Sequence, residues 1–294
     1  MTDSCVDTEA QDLERRGWNV TAYQTRPVNN PLNAVTVVVK GGGDLATGVV
    51  HRLHRAGMRV VVNELPQPLV IRRPVSVASA IFEGETEVEG IRARLVEPGQ
   101  VEETWRGGAI PVLIDPEARI VHRCRPQVLV DAIMAKRNTG TGIEDASLVI
   151  ALGPGFTAGV DCHAVIETNR GHHLGRVILT GSAEPNMGTP ATVDGHTEER
   201  VLRAPCPGVF HGYCRIGERV SAGQTVAHVN GSAVHAQIGG VLRGLLADGV
   251  PTTTGMKVGD IDPRGRVEYC FTISDKARAV GGGVLEAILC LLWK

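Results

Sequence analysis

The sequence predicts an α/β fold: a Rossmann-like, mostly parallel sheet domain, then a β-rich barrel-sandwich module of biotinyl/lipoyl-like type, then a closing C-terminal helix. Three observations carry this expectation. Residues 35–65 read as strand, glycine loop, helix and second strand. Short apolar runs recur between helix-patterned segments as far as Leu152, the alternation expected of a mostly parallel sheet. From Val201 the pattern changes, and Gly208, Gly217 and Gly223 recur as Gly240, Gly249 and Gly255, two triplets of identical spacing.

The opening unit organises the chain. Val35, Thr36, Val37, Val38 and Val39 run into Gly41, Gly42 and Gly43, and a helix pattern follows from about Leu45 to Ala56. From Gly41 the loop reads G-x-G-x-x-A, with Ala46 in the third small position. Such residues suit a tight turn, close approach to a pyrophosphate and close helix packing, while the helix N-terminus favours an anion. Glu64 closes the second strand, where a ribose-binding carboxylate is expected. Asp44 is expected to cap the helix, with Lys40 offsetting its charge. The cofactor-binding set is therefore Gly41, Gly42, Gly43, Asp44 and Glu64. Arg72 and Arg73 join it from a proline-bounded loop, as guanidiniums suited to phosphate. Gly153 and Gly155 form the opposite wall, after the apolar run Ser147 to Leu152.

The four expected regions are a flexible extension at 1–34, the α/β domain at 35–200, the β module at 201–265, and a strand and helix at 266–294 packing back on the α/β domain. Ser76 to Glu83 and Gly99 to Arg106 read as short helices, Glu85 to Val96 as an edge strand or hairpin, and Ile110 to Ile114 as a buried strand. Val267 to Ile273 reads as a strand. Ser274 and Asp275 offer a cap for a last helix, in which Gly281 to Gly283 mark a break or a close-packing site.

Composition excludes several function classes. A net charge of −2 and 3% aromatics supply neither the electrostatic footprint nor the stacking platforms of a nucleic-acid binder. The longest apolar run near an end, Leu285 to Trp293, is too short for a bilayer, and the N-terminus lacks a signal-peptide plan. A cytoplasmic protein is expected. Seven scattered cysteines without a C-x-x-C pair suggest neither a disulfide framework nor a zinc ribbon. No metal site is expected either, because Asp161, Cys162, His163, His172 and His173 show no ligand spacing.

The candidates for chemistry are Lys136, beside Asp131 and Asn138 at a Gly-Thr-Gly turn, and Glu167 with His172 as a proton-transfer pair. The repeat closes through a favoured Asn230-Gly231 hairpin turn. No lysine stands between Val220 and Met256, so the swinging-arm role of a lipoyl carrier is rejected.

The segments KGGGDLATG (40–48), HRLHRAG (51–57), IRRPVS (71–76), VDAIMAKRNTGT (130–141), LGPGFTAGVDCHAVIETNRGH (152–172), GVLRGLL (240–246), GDIDPR (259–264) and ISDKARAVGGGVLEAIL (273–289) resemble the YqeB-type accessory proteins of selenium-dependent molybdenum hydroxylase systems. The resemblance runs from Val35 to the C-terminus. It implies a role in maturing or inserting the molybdenum cofactor of a hydroxylase client, similar in purpose to XdhC-type accessory proteins. The implied ligand is a molybdopterin-type dinucleotide, a nucleotide-type small molecule. An NAD(P)-dependent oxidoreductase and a non-catalytic scaffold are the alternatives, and whether the chain catalyses a reaction or forms a homo-oligomer stays open.

Overall fold

The computed structural model describes residues 30–185, 188 and 192–292; most of the expected N-terminal extension, 1–29, lies outside them. A nine-stranded sheet is built from Thr36–Lys40 (β1), Arg59–Glu64 (β2), Glu85–Val88 (β3), Ile91–Leu95 (β4), Ile110–Ile114 (β5), Val128–Asp131 (β6), Leu148–Leu152 (β7), Ala164–Ile166 (β8) and Val177–Ile178 (β9). Its order is β3-β4-β5-β2-β1-β6-β7-β8-β9. The strands from β4 to β8 pair in parallel, while β3 and β9 add antiparallel edges. Central strands are valine-rich because both faces are covered: Val37, Val38, Val39, Val60, Val61 and Val62 have no exposed surface.

This corrects the expected Rossmann-like domain. Helices Asp44–Arg55 (α1), Ala80–Glu83 (α2), Val101–Arg106 (α3) and Arg119–Cys124 (α4) are short apart from α1. The connections 132–147 and 153–163, which lead into β7 and β8, carry no helix. A doubly wound unit needs helical crossovers on both faces, and here loops replace those into β7 and β8, while the antiparallel edges β3 and β9 make the sheet mixed.

The C-terminal module consists of Val201–Arg203 (β10), Gly208–Gly212 (β11), Arg219–Val220 (β12), Thr225–Val229 (β13), Ser232–His235 (β14), Gly240–Leu245 (β15), Pro251–Thr252 (β16) and Lys257–Asp262 (β17). They form two four-stranded antiparallel sheets, ordered β10-β17-β15-β12 and β14-β13-β11-β16. The barrel-sandwich assignment is withdrawn with the Rossmann one, since a sequence repeat identifies equivalent strands without dictating how the sheets close. The repeat itself appears as β11, β12 and β13 recurring in β15, β16 and β17. Asn230 (φ 48°) and Gly231 (φ 83°) make the hairpin turn that the sequence predicts.

One further expectation changes, and of the two readings of Gly281 to Gly283 close packing holds. Val267–Cys270 is a 3₁₀ turn rather than a strand, a short apolar run being ambiguous between the two. Asp275–Leu291 (α5) runs through Gly281 to Gly283 without a break, capped by the Ser274 side chain, which accepts the Ala277 N–H. α5 lies along α1, and the glycines permit it: a Cβ on Gly281 would stand 2.4 Å from the Gly48 carbonyl oxygen, and one on Gly48 would stand 2.3 Å from that of Ala277.

Glu89, at the tip of the β3–β4 hairpin, anchors the entry to α5. Its carboxylate accepts from the Ile273 N–H at 2.7 Å and from Arg278, and lies 3.9 Å from His51 Nε2. Burial, then the charges of Arg55 and Arg278, push His51 down to about 4 from its ordinary 6.5. The folded state therefore keeps His51 neutral while the unfolded chain protonates it below 6.5. Its contribution is complete above pH 6.5 and is lost as pH falls toward 4, by roughly 3 kcal/mol. Urea unfolding of wild type and His51→Gln at pH 7 and pH 4.5 checks this, and the variant is expected to lose much less stability between the two.

Candidate functional site

The parallel strands of the sheet point their C-terminal ends at the antiparallel module, and a cleft of about 1150 Å³ lies between them. The residues that follow β1, β6, β7 and β8 supply one wall: Asp44, Met134, Lys136, Pro154 and Thr168 to Arg170. The carboxyl ends of parallel strands are where open α/β sheets bind ligands. The module supplies Arg200, Arg203, Arg243, Lys257 and Arg264, and the start of α5 supplies Ser274 to Lys276. Met134 (φ 61°) and Lys136 (φ 62°) hold left-handed backbone conformations that side chains disfavour, so the rim after β6 is strained where it borders the cleft.

Among the described residues, nine lysines and arginines line this space against four carboxylates, Asp44, Glu184, Asp194 and Asp275. Beneath the module's wall, Asp260 and Asp262 project from the same face of β17 and are almost wholly buried. Asp260 accepts from Arg200 and from Arg243, whose Nε lies 2.7 Å away, with Lys257 Nζ at 3.8 Å. Arg264 forks onto Asp262 at 2.9 and 2.7 Å and stacks over the Tyr269 ring at 4.5 Å. Two carboxylates thus orient four cations, and positive charge remains in excess. On the opposite side Arg170 forks onto Asp275 at 2.7 and 2.9 Å, which holds that carboxyl down at about 2. Partial burial pushes Lys257 and Lys276 below the ordinary lysine range.

The predicted pyrophosphate cradle has a different occupant. Gly42 donates its N–H to Glu64 Oε2 at 2.8 Å, and the Leu65 N–H donates to Oε1 at the same distance. Burial pushes the Glu64 carboxyl upward, against the pull of these two bonds. A Cβ on Gly42 would stand 2.9 Å from the Ala78 nitrogen, and one on Gly41 would stand 3.2 Å from the Ala132 oxygen. Gly41 and Gly42 accommodate the protein's own backbone, a Cβ on Gly43 would meet only the Val70 side chain at 3.7 Å, and Glu64 closes the loop. Gly43 rather than Asp44 occupies the N-cap, and Asp44 pairs with Arg72 at 3.2 Å. Arg72 also donates to the Tyr269 and Thr272 carbonyls, and Arg73 Nε donates to the Leu245 carbonyl at 2.9 Å. Arg73 ties the sheet domain to the module, Arg72 ties it to the segment before α5, and only Arg72 lines the cleft. Lys40 donates to Thr141 Oγ1, which bonds Asp131, and its ammonium lies 3.7 Å from that carboxylate.

Gly153 and Gly155 also meet protein: their Cβ atoms would stand 2.4 Å from Thr168 Oγ1 and 2.6 Å from the Arg137 backbone. Glu167 and His172 do not form a pair. The Glu167 oxygens accept the Asn169 and Glu184 N–H groups at 2.7 and 2.8 Å, whereas His172 is exposed and meets His173 edge-on. Lys136 does face the cleft. The sequence reading missed Arg200, Arg203, Arg243, Lys257, Arg264 and Lys276. The one local signal was Asp260 and Asp262, two residues apart on a buried strand and therefore in need of cations.

No family model matches the chain. Over 265 residues it is 46% identical to YqeB of Escherichia coli (strain K12), described as an uncharacterized protein. The chain is a homologue of YqeB. The alignment covers 90% of this chain and 49% of YqeB, so the chain spans about half the length of that relative. Among solved structures the chain is similar to an aspartoacylase family protein of Mesorhizobium loti (12% identity, 79% of this chain and 86% of that one, TM-score 0.25). It is also similar to TcdA (CsdL), at 10% identity, 98% coverage of both chains and a TM-score of 0.29. Likenesses this weak carry no argument about fold or chemistry. No helix among the described residues is long and apolar enough to cross a membrane.

Proposed function

We propose that the chain binds a phosphate-bearing, nucleotide-type small molecule in the cationic cleft, and that it serves a molybdenum hydroxylase as an accessory protein that holds its molybdopterin-type dinucleotide cofactor. The carrying observation is the surplus of cations over carboxylates in one cleft of a protein whose net charge is −2. Charge concentrated in this way selects anions, and arginines already held by buried carboxylates are pre-oriented for bidentate contact. The volume suits a dinucleotide. The ligand moves from the glycine loop to the neighbouring cleft, where Asp44 and Pro154 bring the two glycine loops to its edge. A nicotinamide-dependent oxidoreductase has less to stand on, because Glu64 and Glu167, the carboxylates it needs, are occupied by backbone N–H groups.

Thermal unfolding with cytidine and guanosine nucleotides, NAD, NADP and inorganic pyrophosphate tests the binding. Ligand at about a hundred times its Kd adds about 2.7 kcal/mol to the native state, and pyrophosphate-containing compounds are expected to raise the melting temperature. Arg203→Glu, at an exposed cleft position, should weaken binding about tenfold, the range expected when a charged contact worth 1–2 kcal/mol is lost. No shift with any of these compounds removes the proposal. In cells, loss of the protein should leave its hydroxylase folded but short of cofactor, and a fully loaded hydroxylase overturns the accessory role.

A further inference from the structure

Five lysines stand in the whole chain, Lys40, Lys136, Lys257, Lys276 and Lys294, because arginine supplies most of its positive charge. Three of the five line the one cleft. Arginine binds anions as well or better but cannot lose its proton, so a lysine among arginines does something they cannot. Lys257 lies 3.8 Å from Asp260, and Lys136 is exposed on the rim. Lys276 differs from both. It is half-buried, and among the described residues no carboxylate lies within ion-pair distance of its ammonium. The nearest acids are committed elsewhere: Asp275 to Arg170, Asp44 to Arg72, and Glu167 to two backbone N–H groups. Lys276 also sits in the first turn of α5, where the helix dipole opposes a positive charge.

We propose that Lys276 is the nucleophilic amine of the cleft, capturing the carbonyl carbon of an anion-bearing aldehyde or ketone as an imine while neighbouring guanidiniums hold the anion. This rests on the reading of the cleft as an anion site. The amine lone pair forms the N–C bond, both amine protons leave with the carbonyl oxygen as water, and no oxidant or reductant is consumed. Burial and the Arg170 charge push Lys276 below the ordinary lysine value, opposed by Asp44, Glu167 and Asp275. Each unit of lowering gives about ten times more free amine at neutral pH, which is the route by which crowded, desolvated lysines become nucleophiles.

Pyridoxal 5′-phosphate, which carries both an aldehyde and a phosphate, is the probe. The full chain is incubated with it at pH 7, reduced with borohydride, digested and mapped by mass spectrometry. Lys276 is expected to label severalfold faster than any other lysine, because Asp260 lies 3.8 Å from the Lys257 ammonium and, among the described residues, no such carboxylate holds the Lys276 proton. Pyridoxal, which lacks the phosphate, should label it about tenfold more slowly. Lys276→Arg, which keeps the charge, should abolish that peptide's label while its unliganded melting temperature stays near wild type. Faster labelling of Lys136 or Lys257, or equal rates with pyridoxal, overturns the proposal, and the wild-type map decides this even if the variant fails to fold. If nucleotides leave the melting temperature unchanged but Lys276 still labels selectively, the nucleotide reading falls and the reactive amine stands. Nucleotide binding with scattered labelling has the opposite meaning.

Discussion

Replacing Gly48 with valine is expected to destabilise the fold by about 4 kcal/mol or more, a large share of what a domain has. The cause is a backbone-to-backbone contact. A Cβ at Gly48 would stand 2.3 Å from the Ala277 carbonyl oxygen, one at Gly281 would stand 2.4 Å from the Gly48 oxygen, and one at Gly283 would stand 2.2 Å from the Gly175 oxygen. None of these neighbours is a flexible side chain, so relief at Gly48 or Gly281 requires α1 and α5 to separate, and at Gly283 requires α5 to leave the loop between β8 and β9. Separation uncovers Val280, Val284 and Ile288, which are fully buried in the core of the sheet domain, and overpacked cores relax poorly. Position 282 separates this explanation from simple helix propensity, because a Cβ there meets nothing within 4 Å. Gly282→Ala should gain about 0.5–1 kcal/mol through propensity alone, whereas Gly281→Ala, one residue earlier in the same helix, should lose stability. Urea midpoints of the three variants decide the matter, and a stabilised Gly281→Ala would remove the close-contact account.

The same contact shows what the sequence conceals. The glycines at 281–283 read equally as a helix break or a close-packing site because propensity is local, and the partner that decides for close packing stands more than 200 residues away. The strand–loop–helix–strand unit at 35–65 was legible, since runs of valine bounded by glycine and a polar end leave few alternatives. The purpose of its glycines was not. A residue without a Cβ reads the same whether it admits a pyrophosphate or, as here, the backbone of Ala78 and Ala132. The class of fold was misjudged for a related reason. Apolar runs announce strands, but the stretches between β6, β7 and β8 give no periodic signal to show that loops rather than helices cross the sheet. The cleft was the least legible feature. Its cations are scattered from Arg72 to Lys276, and they converge only when the module docks over the strand ends.

Asp260 is where that convergence is held together, and Asp260→Ala is expected to cost about 3–5 kcal/mol. The carboxylate has no exposed surface and sits on β17, between β10 and β15, opposite Val201 and Gly244. It accepts from Arg200 and Arg243 at once. Removing it takes away the anion that Arg200 and Arg243 share, leaving Asp262 at 3.5 Å from Arg243 as the remaining carboxylate, and buried charge stripped of its main partner is far costlier than an intact pair is stabilising. Asp260→Asn keeps the shape and part of the hydrogen bonding but loses the charge, so its cost should fall between wild type and alanine. The arrangement also connects stability to binding. If the arginines are oriented for an anion arriving from the cleft, inorganic pyrophosphate should restore part of the stability lost in Asp260→Ala, while sodium chloride at equal ionic strength should not. Thermal unfolding of the variant in the two salts reads this directly. Equal recovery would mean that the cluster responds only to screening, and that its cations hold the two sheets together without selecting a ligand.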